Sequence, residues 1–577
     1  MPSRIGSDIC SPVVSVLVGN EAARGKVQKE VPMRHGGQIL VDQLKIQGVR
    51  RVFSVPGESF LAALDGLYQS GIENVVCRQE GGAAIMAEAH GKLTGKPGVL
   101  FVTRGPGATN ASSGIHVAKH DSTPMVVFVG QVARDHRDRD AFQEVDYVQM
   151  FQGLAKWVAE VNQTERLPEY ISRAFHVAQS GRPGPVVLAL PEDMLSATAE
   201  VADIAARAEV PVAVAPETVG AVAALLDEAA RPLVIAGGPG WSDRAATDLE
   251  AFAEAQGIPV ALSFRRQDYM DNGHANYVGD LSVGMRPGLK RALDEADLLL
   301  VLGSRFGDIT SNAYARTPGA PGPRIVHVHP DPDEVGQVYR PDLSVPAAAP
   351  AMLAALARLD GTRRNDRADW TASLRADYEA YVQPVETPGA VKLEQVVLTL
   401  QDMIPEGAAL TNGAGNFNIW LHRYFRFSRR NRYLGATSGS MGYGFPAAIA
   451  AALETGRPSI CWAGDGDFQM TLNEMSTAVQ HGAQVVVLVA NNGRYGTIRA
   501  HQERAYPGRV SGTDLAAPDF AALARAYGGF GAMVAAQEDF APAFEAALAS
   551  GGLAVIDLKL DPEALTPGQT LTEVRGF

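Results

Sequence analysis

The stretch GDGDFQMTLNEMSTAVQHGAQVVVLVANNGRYG, Gly464 to Gly496, opens on a carboxylate inside a glycine turn and closes on paired asparagines. The carboxylate of Asp465, the side-chain amide oxygen of Asn492 and a free loop carbonyl are hard oxygen ligands. Together they suit an octahedral magnesium or calcium ion that also takes oxygens from a diphosphate. Gly464 and Gly466 let the backbone approach a phosphate closely. Taken singly, Asp465 reads as a helix cap and Asn492 as a turn former. Their placement at the two ends of one strand-helix-strand unit favours the metal.

Other polar residues stand far from this pair in sequence. In CRQEGGAAIMAEAHGKLTGKPGVLFVTRGPGATN, Glu80 lies at a strand end just before a helix, where the helix dipole alone favours an acid. TSGSMGYGFPAAIAAAL, with Gly439 and Met441, reads by itself as a glycine-rich helix start with a core methionine. PGES places Glu58 just after a turn. VGQV and AFQEVDYVQMFQGLAKWV carry Gln131, Phe142, Gln143 and Lys156, for which the plain reading is a solvated loop and a surface lysine.

The elements that must position these groups are legible as apolar runs. From Met33, amphipathic helical stretches alternate with short runs such as GVLFVT, MVVFVG and PVVLALP, apolar on both faces and bounded by Gly or Pro. That grammar indicates a parallel sheet covered by helices. It restarts after EVPVAVAPET with RPLVIAGGPG, IPVALS, ADLLLVLGS and RIVHVHP, and again after RRNDRADWTASLRADYEAYVQPVETPG with GAALTNG, RPSICWAGDGD, VVVLVANNG and LAVIDLKL. The expected organisation is α/β: an N-terminal extension over 1–32, a first domain over 33–200, a central domain over 205–362, a linker over 363–388, a third domain over 389–560 and a tail over 561–577. In that layout Asp465 and Asn492 end adjacent parallel strands, at the edge where open α/β sheets bind ligands.

A chain of 577 residues supports about three such domains. With 46% apolar and 20% charged residues it has the composition of a globular enzyme. A net charge of −13 argues against nucleic acid or an anionic membrane as the main partner and favours small molecules. The three cysteines, Cys10, Cys77 and Cys461, have neither a zinc spacing nor an even count, which fits a reducing, cytoplasmic setting. No apolar run is long enough to span a membrane, and SPVVSVLVG near the start lacks the basic lead and small-residue cleavage site of a signal peptide.

The GDG turn, the paired asparagines and the distant Glu80 together resemble the thiamine-diphosphate-dependent enzymes. The resemblance runs from Met33 to about residue 560 and looks closest to the acetolactate (acetohydroxyacid) synthase branch. It implies three domains, pyrimidine-binding, central and diphosphate-binding, in that order. It also implies Asp465 and Asn492 as Mg²⁺ ligands, with the main chain of Arg494 as a third. Glu80 would exchange a proton with the aminopyrimidine ring, so that the cofactor's own imino group deprotonates its thiazolium carbon. Met441 would prop the cofactor in its bent shape, and the carbonyl of Gly439 would accept from its amino group. Gln131, Phe142, Gln143 and Lys156 match positions on the substrate side. Because the family builds each site from two subunits, resemblance implies a homodimer or homotetramer.

The activity so implied is decarboxylation of a 2-oxo acid, pyruvate in the modal case, followed by transfer of the acyl unit to a second carbonyl. This is the chemistry of acetolactate formation and of branched-chain amino acid biosynthesis. Three departures keep alternatives open. Glu58 stands where related decarboxylases carry an acid and acetolactate synthases a small residue, which keeps a simple 2-oxoacid decarboxylase or a 2-hydroxyacyl lyase in view. Thr497 and His501 replace apolar residues, including a tryptophan that selects the acceptor, so the acceptor pocket is more polar than the family norm. In the central domain AGGPG suits flavin adenine dinucleotide, ADP or a plain tight turn, because Asp308 is kept while the usual following arginine is missing and His329 replaces an aspartate. A nucleotide-dependent oxidoreductase using that turn leaves Glu80 and the Asp465/Asn492 pair unexplained. A catalytically silent relative has no need of Glu80.

Overall fold

A computed structural model describes residues 32–208, 212–317, 319–358, 365–428 and 431–576. Apart from residue 32, the expected N-terminal extension lies outside the described residues.

The runs apolar on both faces become inner strands. Met125–Gln131, Leu298–Leu302 and Val485–Asn491 are buried along their whole length. Each has a strand on either side and helices above and below, so side chains of both parities leave water, and their β-branched residues suit the pleat.

Three six-stranded parallel sheets result. The first runs Glu73–Val76, Arg51–Ser54, Gly98–Val102, Met125–Gln131, Pro185–Pro191, Trp157–Glu160 in space. The third runs Arg432–Gly435, Ala409–Asn412, Ser459–Gly464, Val485–Asn491, Leu553–Lys559, Phe530–Val534. Numbered within their own domains, both read 2-1-3-4-6-5, whereas the central sheet, Tyr277–Leu281, Val260–Ser263, Pro232–Ala236, Leu298–Leu302, Arg324–His329, Leu343–Pro346, reads 3-2-1-4-5-6. In the third sheet the strand order reverses between Ala409–Asn412 and Ser459–Gly464. Helices leave on opposite faces there and open a crevice at the carboxyl ends.

The first and third domains pack through two helices rich in small residues, Glu80–Thr94 and Gly444–Thr455, whose alanines and glycines form one continuous core. Between them Glu88 is fully buried and accepts from the Thr123 and Tyr443 hydroxyls, both at 2.7 Å. The segment expected to be a linker carries the helix Ala368–Tyr381, which belongs to the packing of the central sheet. Arg367 at its start is fully buried and donates to the carbonyls of Ala229 and Gln256, and Tyr378 meets Tyr277 edge-on at 5.0 Å. In the segment expected to be a tail, Leu571 is buried against Ala500 and Leu565.

Candidate functional site

Asp465 follows directly on the strand Ser459–Gly464, at the reversal of strand order. Its carboxylate is buried and accepts from the Gly466 amide and, across the strand pair, from the Gly493 amide, both at 2.9 Å. Burial pushes the Asp465 carboxyl up to about 6, against the pull of those amides. A carboxylate held in that state gains from a divalent cation, which replaces the lost hydration. Asn492 directly follows the neighbouring strand, Val485–Asn491, and its Oδ1 accepts from the Arg494 amide at 3.2 Å.

These residues line a cavity of about 190 Å³ together with Gly464, Gly466 and Met441. The glycines are required by close approach. A Cβ on Gly464 would stand 2.7 Å from the Phe417 ring, and one on Gly466 would stand 2.5 Å from the Tyr495 ring. Two oxygen-bearing side chains, backbone amides and a bare wall fit a magnesium diphosphate.

The segment FQMTLNEMSTAVQHG was expected to be one helix, and it is broken. The helix Asp465–Gln469 stops, Thr471 leaves the helical region at φ −139°, and a second helix begins at Met475. The break lets two acids face different partners. Oδ1 of Asp467 accepts from the Ala414 amide at 3.0 Å and from the Gly442 amide at 2.8 Å, tying the turn after Asn412 to the residue after Met441. The Thr471 hydroxyl donates to the Gly442 carbonyl at 2.9 Å. Gly439 and Gly442 hold left-handed conformations, φ 66° and 77°, which glycine adopts without strain. Asp467 therefore shapes the Gly439–Gly442 loop, and sequence reading missed it beside the more conspicuous Asp465.

Glu474, the second acid freed by the break, is fully buried and accepts at Oε1 from the Gln79 amide at 3.0 Å. It thereby holds the turn that presents Glu80, the first residue of the helix Glu80–Thr94. Oε2 of Glu80 accepts from the Asn110 side-chain amide at 3.0 Å. Both supports come from segments remote in sequence from Glu80.

The first-domain candidates gather round the turn Thr103–Gly107. A Cβ on Gly57 would stand 2.4 Å from Thr103, one on Gly105 would stand 2.9 Å from Gln143, and one on Gly107 would stand 3.3 Å from the Glu80 carboxylate. Glu58 accepts from the Arg104 guanidinium at 2.8 Å and remains exposed. Gln131 is fully buried, ends its strand, and donates to the Val145 carbonyl at 2.9 Å. Phe142 is 75% exposed, an unusual state for so apolar a ring.

Lys156 is not part of this group. It precedes the strand Trp157–Glu160 and so lies at the opposite, amino edge of the sheet. Its ammonium caps the helix Leu167–Gln179, donating to the Val177 and Ser180 carbonyls at 2.6 Å, and burial pushes its pKa down to about 8.

Thr497 and His501 sit on the helix Gly496–Ala505 and line a second cavity of about 450 Å³, between the central and third domains. Gly439 lines it too, and Ala414, Gly415, Asn416 and Thr497 are common to both cavities. Every residue lining the two cavities belongs to the central or third domain or to the segments just beyond them. Glu80, Glu58, Gln131 and Gln143 thus lie in the first domain away from both cavities, and Asp465, Asn492, Arg494, Gly439, Met441, Thr497 and His501 line them.

The glycine turn of the central sheet is closed upon itself. The Trp241 indole donates to the Gly237 carbonyl at 2.8 Å, the Tyr269 hydroxyl donates to the Gly238 carbonyl at 2.9 Å, and the two rings stack at 4.8 Å. A Cβ on Gly238 would stand 1.7 Å from the Gly303 carbonyl, so strand packing already explains that glycine. The space beside it, lined by Ser304, Arg305 and the exposed Asp308, measures about 80 Å³. Small-molecule pockets are typically about 300–1,000 Å³. His329 is buried, with its pKa pushed down to about 4 by burial. These residues do not fit a flavin adenine dinucleotide, and the oxidoreductase alternative loses the turn on which it relied.

Comparison with known proteins follows the same three-part division. Residues 34–150 match the thiamine pyrophosphate enzyme N-terminal TPP binding domain, 219–356 the central domain, and 413–558 the C-terminal TPP binding domain. The acetolactate synthase large subunit of Parasynechococcus marenigrum is 32% identical, covering 91% of this chain and 87% of its own. The isozyme 2 large subunit of Escherichia coli is 30% identical over 91% of this chain and 96% of its own, and the isozyme 3 large subunit is 31% identical over 87% and 90%.

Proposed function

This chain belongs to the thiamine pyrophosphate enzymes, and on that premise we propose how its own residues bind the cofactor and carry out acetolactate synthase-like carboligation. The observation that carries this reading is the pairing of Asp465 and Asn492 at the ends of adjacent strands, in a cavity that Met441 also lines. Asp465, Asn492 and the Arg494 carbonyl hold Mg²⁺, and the ion anchors the diphosphate. When bound, thiamine diphosphate supplies the carbanion and the electron sink that 2-oxo acid decarboxylation and carboligation require.

The protein binds, orients and moves protons. Met441, braced through Gly442 by Asp467, supports the bent cofactor, and the Gly439 carbonyl accepts from the aminopyrimidine amino group. Glu80 exchanges a proton with the ring nitrogen of the aminopyrimidine, with Asn110 holding its second oxygen. Gln131 orients the substrate, and Glu58, exposed beside Arg104, relays protons near the reacting carbon. Since none of the residues lining the two cavities comes from the first domain, Glu80 of one copy completes the cavity of another in this reading, and the enzyme works as a homodimer or homotetramer. The substrates are small 2-oxo acids, with pyruvate as donor.

Glu58 favours one second reading, a 2-oxoacid decarboxylase or 2-hydroxyacyl lyase in which this acid protonates the reacting carbon before an acceptor arrives. Product analysis separates the two. The carboligase yields acetolactate or a mixed acyloin from pyruvate with and without added aldehydes, whereas release of acetaldehyde alone rejects it. Glu80→Gln keeps cofactor binding and loses most turnover; undiminished turnover refutes the proton exchange.

A further inference from the structure

The 450 Å³ cavity is built for negative charge. Four arginines line it, Arg265, Arg286, Arg423 and Arg504, against one acid, Asp280, in a chain whose net charge is −13. Arg286 is neutralised by Asp377 at 3.0 Å. Arg423 donates to the Tyr381 carbonyl and lies over the Tyr381 ring at 4.3 Å. Asp280 receives a hydrogen bond from Gln267 at 3.2 Å, and burial favours its protonated form.

Arg265 is different. It is 5% exposed, and although the buried Asp467 carboxylate acts on it through space, among the described residues no carboxylate comes within ion-pair distance, its side chain's one hydrogen bond goes to the Gly413 carbonyl at 2.9 Å, and its buried Nε has no partner. Its backbone is left-handed at φ 59°, and the bare Cα of Gly435 leaves room for its shaft, since a Cβ there would stand 3.0 Å from its Cδ. A buried guanidinium with free donors is costly unless an anion meets it. The Gly413 carbonyl to which it is tied adjoins Ala414, Gly415 and Asn416, the residues shared with the cofactor cavity. Arg504 stands exposed at the far wall beside His501.

We infer that this cavity receives the acceptor substrate and that Arg265 binds an anionic group, carboxylate or phosphate, carried by that acceptor away from its reacting carbonyl. The inference rests on the carboligase reading above. In the reaction, pyruvate loses its carboxylate as CO₂, and the electron pair left on its carbonyl carbon forms the new bond to the acceptor's carbonyl carbon. The acceptor oxygen takes up one proton. The product is a 2-hydroxy ketone that keeps the anionic tail. The polar residues Thr497 and His501 line the same cavity and suit such an acceptor better than an apolar one.

The test uses full-length protein loaded with thiamine diphosphate and Mg²⁺. Calorimetry compares glutarate and 4-phosphonobutanoate with pentanoate, which has one anionic end. At least one of the two doubly anionic probes binds about tenfold or more tighter than pentanoate, and the tighter one names the group. Arg265→Gln abolishes that margin, Arg265→Lys restores part of it, and both keep thiamine diphosphate affinity. With pyruvate as donor, succinate semialdehyde is preferred over butanal as acceptor by a similar factor. Equal affinity for all three probes in the unaltered protein overturns the proposal, as does an Arg265→Gln protein that keeps the margin or loses cofactor binding instead. Should that variant fail to fold, the wild-type comparison decides. Absence of any CO₂ release from pyruvate strikes the carboligase reading alone, because probe binding is measured separately.

Discussion

Replacing Asp467 tests whether the loop that carries Met441 is held from beneath. Two hydrogen bonds at this residue converge on one oxygen, Oδ1, from the Ala414 amide at 3.0 Å and the Gly442 amide at 2.8 Å. A hydrogen bond to a charged acceptor contributes about 1.5–3 kcal/mol. Asp467→Ala removes the one acceptor that serves both amides. With water from the adjoining cavity meeting one amide, the loss of stability comes to about 3 kcal/mol. The same loosening frees Gly442 and with it Met441, so thiamine diphosphate affinity falls by about 10- to 100-fold, the equivalent of about 1.5–3 kcal/mol. Asp467→Asn keeps a carbonyl oxygen at Oδ1 and loses less than about 1 kcal/mol, because the converging acceptor survives. Urea unfolding of the cofactor-free protein and a fluorescence titration with thiamine diphosphate measure the two effects. If the alanine and asparagine proteins behave alike, or if the alanine protein binds cofactor normally, Asp467 does not support the loop through Oδ1.

Three further outcomes follow from the same geometry. Asp465→Ala abolishes saturable binding of thiamine diphosphate and Mg²⁺ to metal-free protein while the thermal midpoint changes little; unchanged affinity removes Asp465 from the metal site. Burial raises the Glu88 carboxyl well above its ordinary value of 4.5, so its contribution to stability is complete below that pH and is lost as pH rises through the higher folded value. Glu88→Gln consequently narrows the difference in unfolding free energy between pH 5 and pH 8, and parallel pH profiles for the two proteins contradict the account. Purified protein shows no flavin absorbance, because Trp241 and Tyr269 close the central glycine turn; a stoichiometric flavin spectrum shows that the turn opens.

Much of this protein is determined by local rules that act along the chain. Strands such as Val485–Asn491 are apolar on both faces, which only a doubly covered parallel sheet satisfies, so three α/β units follow from the sequence. The adjacency of Asp465 and Asn492 is legible because each directly follows a strand of one strand-helix-strand unit, and parallel pairing turns separation in sequence into adjacency. The place of Glu80 at the start of a helix is legible in the same way. What local rules do not contain is any contact made across domains. The order 2-1-3-4-6-5, common to the outer sheets and absent from the central one, depends on which edge each new strand joins. The break at Thr471 that releases Asp467 and Glu474 overrides a good helical pattern, because bonds to Gly442 and Gln79, remote in sequence, outweigh continued helix. Lys156 lies at the amino edge of its sheet, apart from the other first-domain candidates, a matter of strand direction rather than residue type. Arg265, an ordinary arginine in SFRRQD, becomes a buried charge tied to a carbonyl rather than to a close carboxylate only when the central domain packs on the third. Sequence specifies the groups and the ends of the elements that carry them; tertiary packing decides which of those groups lose water together, and charge and hydrogen bonding take their chemical force from that shared loss.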